Sequence, residues 1–149
     1  MIKERLPNGI QDLLAEAGES ACYALCLIDV AVEFSQKHID VVSAIISGIE
    51  RGYIHYDWDN REDEDNFFVI APESFLRMLT GKQWTVTKQK FGYVPRTGDY
   101  KINRWERTST GKVIGHFQRD DFDPLANSVT VRRGHIVSYR ICRAKEEQA

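Results

Sequence analysis

One cysteine and one histidine in this 149-residue chain stand where their neighbours would arm them for nucleophilic chemistry. Cys22 opens the segment Ala21 to Phe34, which is apolar nearly all round, with Asp29 and Glu33 sharing one face four residues apart. A helix with so narrow a polar stripe is buried on most sides. In its first turn the unpaired backbone N–H groups and the positive end of the helix dipole favour a thiolate, the nucleophilic form, over a thiol. Cys26 lies one turn deeper, where neither effect reaches strongly. Free cysteine is also among the most buried residue types, so plain core packing is the competing reading for both.

A cysteine nucleophile needs a base within hydrogen-bond reach and a third group to orient that base. His38, His55 and His135 fall at a helix end, beside an acidic loop and in a turn, and are expected at the surface. His116 sits inside the strand pattern Lys112 to Gln118 and precedes Arg119-Asp120-Asp121-Phe122-Asp123-Pro124. A tight turn at Arg119-Asp120 would set His116 opposite Asp123, with Cβ atoms about 4.5–5.5 Å apart on one face. Asp123 would then accept the Nδ1 proton of His116 and turn the ring toward Cys22. A one-residue slip would break that pairing. Asp120 and Asp121 stand as alternative orienting acids. Gly115 would leave room for a substrate or for the cysteine helix.

The elements that must position these groups change character near Thr80. Before it the pattern is helical: a short helix over Ile10 to Ala17 capped by Asn8, a long one from a Ser20 cap to about Lys37, a third over Asp40 to Arg51, and a fourth from Pro72 to Gly81. After Gly81 the pattern alternates. Strands are expected over Gln83 to Phe91, Tyr100 to Arg107, Lys112 to Gln118, Ser128 to Arg132 and Ile136 to Cys142, with a turn at Pro95 to Asp99. Helices first and antiparallel strands second predict an α+β fold with segregated layers, as one domain over residues 1–149.

Composition narrows the function classes. Twenty basic against twenty-two acidic residues lack the basic footprint of a sequence-independent nucleic-acid binder. No apolar run reaches the roughly 18 residues of a membrane span, and no secretory signal opens the chain. Three cysteines are too few and odd in number for a disulfide scaffold, which predicts a reduced, cytoplasmic protein. A metal centre on Cys22, Cys26 and His116 would lack any Cys-x-x-Cys or His-Glu-x-x-His pattern, and no glycine-rich strand-to-helix loop offers a nucleotide site, so no cofactor is expected.

A cysteine opening a buried helix, then helices, then an antiparallel sheet carrying Gly115-His116-Phe117 and Asp123-Pro124: this order resembles the papain-like cysteine peptidases, and most of all the compact branch that includes the bacteriocin-leader peptidases. Ala21-Cys22-Tyr23, Trp105, Gly115-His116-Phe117, Asp123-Pro124-Leu125, Ser128 to Val131, Gly134 and Ser138-Tyr139-Arg140 are also similar to an uncharacterised family of small phage and prophage proteins. The resemblance implies a papain-like α+β fold in which a buried central cysteine-bearing helix packs on the C-terminal sheet. It implies a cysteine hydrolase (peptidase, deamidase or related acyl transfer) with Cys22 as nucleophile, His116 as base and Asp123 as orienting acid. Six residues before the cysteine, where such peptidases carry an oxyanion-hole glutamine, this chain has Glu16, so backbone N–H groups near Cys22 would supply at least part of the hole.

A second reading is a catalytically inactive scaffold of this kind that binds a host protein. Its motif is Asp57 to Asp65, with six acids in nine residues, whose default reading is a solvated loop. Trp58 within it would serve as an interaction anchor if exposed. Trp84, Trp105, Phe117 and Tyr139 read as core or cross-strand contacts. Arg132, Arg133, Arg140 and Arg143 read as a basic region that balances the acidic loop or solvates a sheet face.

Overall fold

The computed structural model describes residues 21–124 and 128–145. The expected helix over Ile10 to Ala17, the Ser20 cap and Glu16 lie outside them. Within them, three helices precede the first strand. α1 (Cys22–Ser35) ends where Gln36 turns left-handed at φ 55°, two residues short of the expected Lys37. α2 (Val41–Glu50) is capped by Asp40, whose carboxylate accepts the Ser43 N–H at 2.9 Å. α3 (Pro72–Thr80) opens on a first-turn proline and closes at Gly81 with φ 74°. Thr80 then joins helix to sheet, since its hydroxyl accepts the Trp84 indole N–H at 2.8 Å.

The strands are β1 (Trp84–Lys90), β2 (Asp99–Ser109), β3 (Lys112–Gln118) and β4 (His135–Ala144). They form one antiparallel sheet in the order β1-β4-β2-β3, with an irregularity between Arg104 and Trp105. The fold is therefore α+β. Alternation puts Trp84, Val86, Tyr100, Ile102, Cys142 and Phe117 on the face that joins the helical core. Phe34 of α1 meets the Trp84 and Tyr100 rings edge-on there.

One expected strand is a helix. Ser128 to Arg132 reads as β from its β-branched run, yet Val129–Arg133 is a single short helix, α4. Arg132 N–H donates to Ser128 O and Gly134 N–H to Thr130 O, so the turn satisfies itself locally. Thr130 is buried where its hydroxyl accepts from Arg107 Nε, a tertiary contact that overrides local propensity.

Candidate active site

β3 is an edge strand, so its outward N–H groups are not taken by the sheet. α1 meets that edge at its first residue. The Phe117 N–H donates to Cys22 Sγ at 3.2 Å. Further down the helix, Arg119 bridges both acids of the narrow polar stripe, reaching Asp29 at 2.9 Å and Glu33 at 2.6 Å. Burial pulls the Arg119 guanidinium down, but the two carboxylates outweigh it and hold its pKa above the ordinary value. This clamp fixes α1 against β3 and so sets the register of Cys22 on Phe117.

The bond to Phe117 also places the sulfur beside His116. Through the intervening peptide link, Sγ lies within roughly 6 Å of His116 Cα. The imidazole is fully buried, and its Nε2–H donates to Asp123 Oδ1 at 2.7 Å. Two expectations are corrected here. The turn falls at Asp120-Asp121 rather than Arg119-Asp120, because Arg119 and Phe122 exchange both backbone hydrogen bonds. The ladder stops after that bridge, and Asp123 reaches back to His116 through Nε2 rather than Nδ1. Asp120 instead accepts from Asn103 and pairs with Lys101 at 3.2 Å.

His116 Nδ1 is buried with no hydrogen-bond partner among the described residues. The Cys22 thiol is accordingly not hydrogen-bonded to it. A buried ring nitrogen left without a partner costs about 1–3 kcal/mol, and a catalytic role is one of the reasons a native structure keeps such a group. Asp123 fixes the tautomer with the proton on Nε2, which leaves Nδ1 as the acceptor.

The three cysteines divide sharply. Cys26 and Cys142 are fully buried, and none of the three forms a disulfide. Burial, reinforced by the neighbouring Cys22, pushes the Cys26 thiol well above its ordinary range, and burial pushes Cys142 up to about 12. Cys22 is 3% exposed but lines an open cleft of about 1210 Å³ between the sheet and the segment Glu64 to Val69.

The acidic loop is more built than a solvated loop needs to be. Buried Asn66 accepts the Asp57 N–H at 2.8 Å and donates to Asn60 O at 3.0 Å. His55, expected at the surface, is half-buried and bonded to Asp63 at 3.0 Å. Trp58 is 63% exposed and packs edge-on against Tyr56.

Sequence reasoning missed the cleft floor. Arg104 and Arg140 both stand over the Phe117 ring, at 4.8 and 5.4 Å from its centroid, while Tyr23 stacks on it at 4.4 Å. Arg140, expected to balance the acidic loop or to solvate a sheet face, instead stacks on Phe117 in the cleft. Gly115 leaves room not for the helix but for Arg104, whose guanidinium occupies the space a methyl group would fill. A signal existed: Arg104 is two residues from Ile102, so strand alternation puts it on the buried face.

Among the described residues no group of three His, Cys, Asp or Glu side chains is placed to hold a metal ion, and no helix is long and apolar enough to cross a membrane. No family model, curated protein or solved structure matches the chain, which leaves the cleft geometry to carry its function.

Proposed function

We propose that this chain is a cysteine hydrolase on a papain-like scaffold, acting on a peptide or protein carbonyl, with Cys22 as nucleophile, His116 as base and Asp123 as orienting acid. The observation that carries the reading is one run of backbone, residues 116–117, that touches both halves of the chemistry: His116 bonds Asp123 at 2.7 Å and Phe117 bonds the Cys22 sulfur at 3.2 Å. A thiolate gains from that N–H as well as from the helix start.

In the reaction His116 Nδ1 takes the thiol proton. Cys22 Sγ attacks the carbonyl carbon, and the tetrahedral oxyanion is stabilised by N–H groups of the first turn of α1. The C–N bond, or C–S bond of a thioester, breaks as the leaving group collects the proton from Nδ1. A thioester to Cys22 remains. Water then attacks it, giving one proton to Nδ1, and the thiol is restored with release of the acid. Asp123 keeps its bond to Nε2 throughout and stabilises the imidazolium.

Alkylation of Cys22 by iodoacetamide, followed against pH, tests the assignment. An inflection well below the unperturbed value of about 8.5, moving upward in His116→Gln, is expected. A wild-type inflection at or above 8.5 would remove the nucleophile. Hydrolysis that survives Cys22→Ala would overturn the reading outright.

The 63% exposure of Trp58 on a pinned acidic loop favours a second reading, a module that binds a basic protein surface. It predicts a partner lost with Trp58→Ala and retained with Cys22→Ala.

A further inference from the structure

Arg140 is half-buried in the cleft wall; among the described residues its one side-chain hydrogen bond reaches the Ser138 hydroxyl at 3.1 Å and it forms no ion pair. Among the described residues Arg104 meets a single carboxylate, Glu106, through Nε at a long 3.4 Å, and its outer nitrogens form no hydrogen bond there. Two guanidinium groups therefore share one aromatic ring, and Glu106 is the one carboxylate that pairs with either of them among the described residues. Burial draws Arg140 below its ordinary range, Tyr23 and Glu106 draw it back up, and the charge of Arg104 adds to the lowering. Stacking on Phe117 offsets part of that cost, and Gly115 is the residue that lets Arg104 lie there. Lys88 adds a third cation on the same cleft wall.

The thiol is close by. Phe117 carries both guanidinium groups on its ring and the Cys22 sulfur on its N–H. We propose that Arg104 and Arg140 form a subsite for a substrate carboxylate flanking the carbonyl that Cys22 attacks, so that the enzyme takes acidic peptides or peptide C-termini. The proposal rests on the hydrolase reading and adds its substrate class. A planar, singly charged carboxylate suits paired guanidinium forks. A dianionic phosphate is disfavoured by Glu106 beside Arg104 and by exposed Glu64 and Asp65 across the cleft.

Binding to the Cys22→Ala protein tests the subsite without chemistry. Three tripeptides are compared by nuclear magnetic resonance shifts: acetyl-Ala-Glu-Ala amide, acetyl-Ala-Ala-Ala with a free C-terminus, and acetyl-Ala-Gln-Ala amide. At least one carboxylate peptide should bind about tenfold more tightly than the neutral one. Which of the two does so tells a side-chain carboxylate from a terminal one. Arg140→Gln should erase the preference and Arg140→Lys should keep part of it. Equal binding of all three peptides, or a preference that survives Arg140→Gln with Arg104→Gln, overturns the subsite. The three-peptide comparison on the Cys22→Ala protein stands even where an arginine variant fails to fold. Iodoacetamide reactivity of Cys22 reads the nucleophile separately, so loss of the hydrolase reading and loss of the subsite give different results.

Discussion

Asp123 holds His116 by Nε2, across 2.7 Å, and so leaves Nδ1 as the ring nitrogen with no partner among the described residues. That arrangement assigns the tautomer: the proton sits on Nε2 and Nδ1 is the acceptor. With Nδ1 bound by Asp123 instead, the free nitrogen would lie on the other side of the ring. Removing the carboxylate should therefore be felt twice. In Asp123→Ala the buried Nε2–H loses its acceptor at a cost of about 1–3 kcal/mol. Urea denaturation should show that loss, with Asp123→Asn, which keeps an acceptor oxygen, losing less. Cys22 alkylation at neutral pH should slow in the same order. An Asp123→Ala protein as stable and as reactive as the wild type would mean that the carboxylate does neither job.

Labelling stoichiometry should separate the thiols. Burial holds Cys26 and Cys142 protonated and out of reach, the latter with its pKa pushed up to about 12. Native protein exposed to iodoacetamide at pH 7.5 should take up one label, located on Cys22 by mass spectrometry. Denatured protein should take up three, one for each cysteine in the chain. Native labelling of Cys26 or Cys142 ahead of Cys22 would contradict the cleft assignment.

What was legible in the sequence was what local pattern controls. Lys112–Gln118 is a strand between the residues its alternation marks, and Pro72 with Gly81 brackets α3. Val129-Thr130-Val131 misleads for the opposite reason. Its β-branched residues favour a strand, but Thr130 is drawn under Arg107 and the segment coils to reach it. The turn after β3 falls one residue later than expected, which moves the pairing by two residues, because several adjacent residues there suit a turn. The pairing of His116 with Asp123 survived the slip only because the ladder ends at the Arg119–Phe122 bridge, freeing Asp123 to fold back. Arg140 escapes because its charge reads as part of a basic C-terminal region, and nothing local beyond strand alternation singles out Arg104. Their shared ring belongs to Phe117, on another strand, and no local window contains it.

Gly134 should be the least replaceable of the glycines near the site. A methyl group there would run into the backbone carbonyls of Glu106 and Thr130, neither of which can swing aside. The same change at Gly48 meets the Ile54 and Phe75 side chains, which can shift within the core. Both substitutions overpack, typically at about 1–3 kcal/mol. Gly134→Ala should be the costlier in urea denaturation, since it forces α4 away from β2. The reverse ranking would show that the core, not the α4 junction, is the tighter of the two.

Asp99 should govern part of the acid sensitivity. Its side chain is 1% exposed, and burial alone would raise its pKa. The Arg96 N–H, the Arg143 guanidinium at 2.9 Å and the Tyr93 hydroxyl at 3.0 Å together outweigh burial and lower it. A folded pKa below the unfolded value of about 3.9 means that the ionised group stabilises the fold above that value. The contribution fades as pH falls from there through the folded pKa, when native and unfolded chains come to bind the proton alike. Asp99→Asn should thus be less stable than the wild type at pH 7, with the gap narrowing as the pH is taken below about 4. Urea midpoints of the two proteins between pH 7 and pH 3 measure it. A gap that stays constant over that range would assign the Asp99 contribution to packing and neutral hydrogen bonds rather than to its charge.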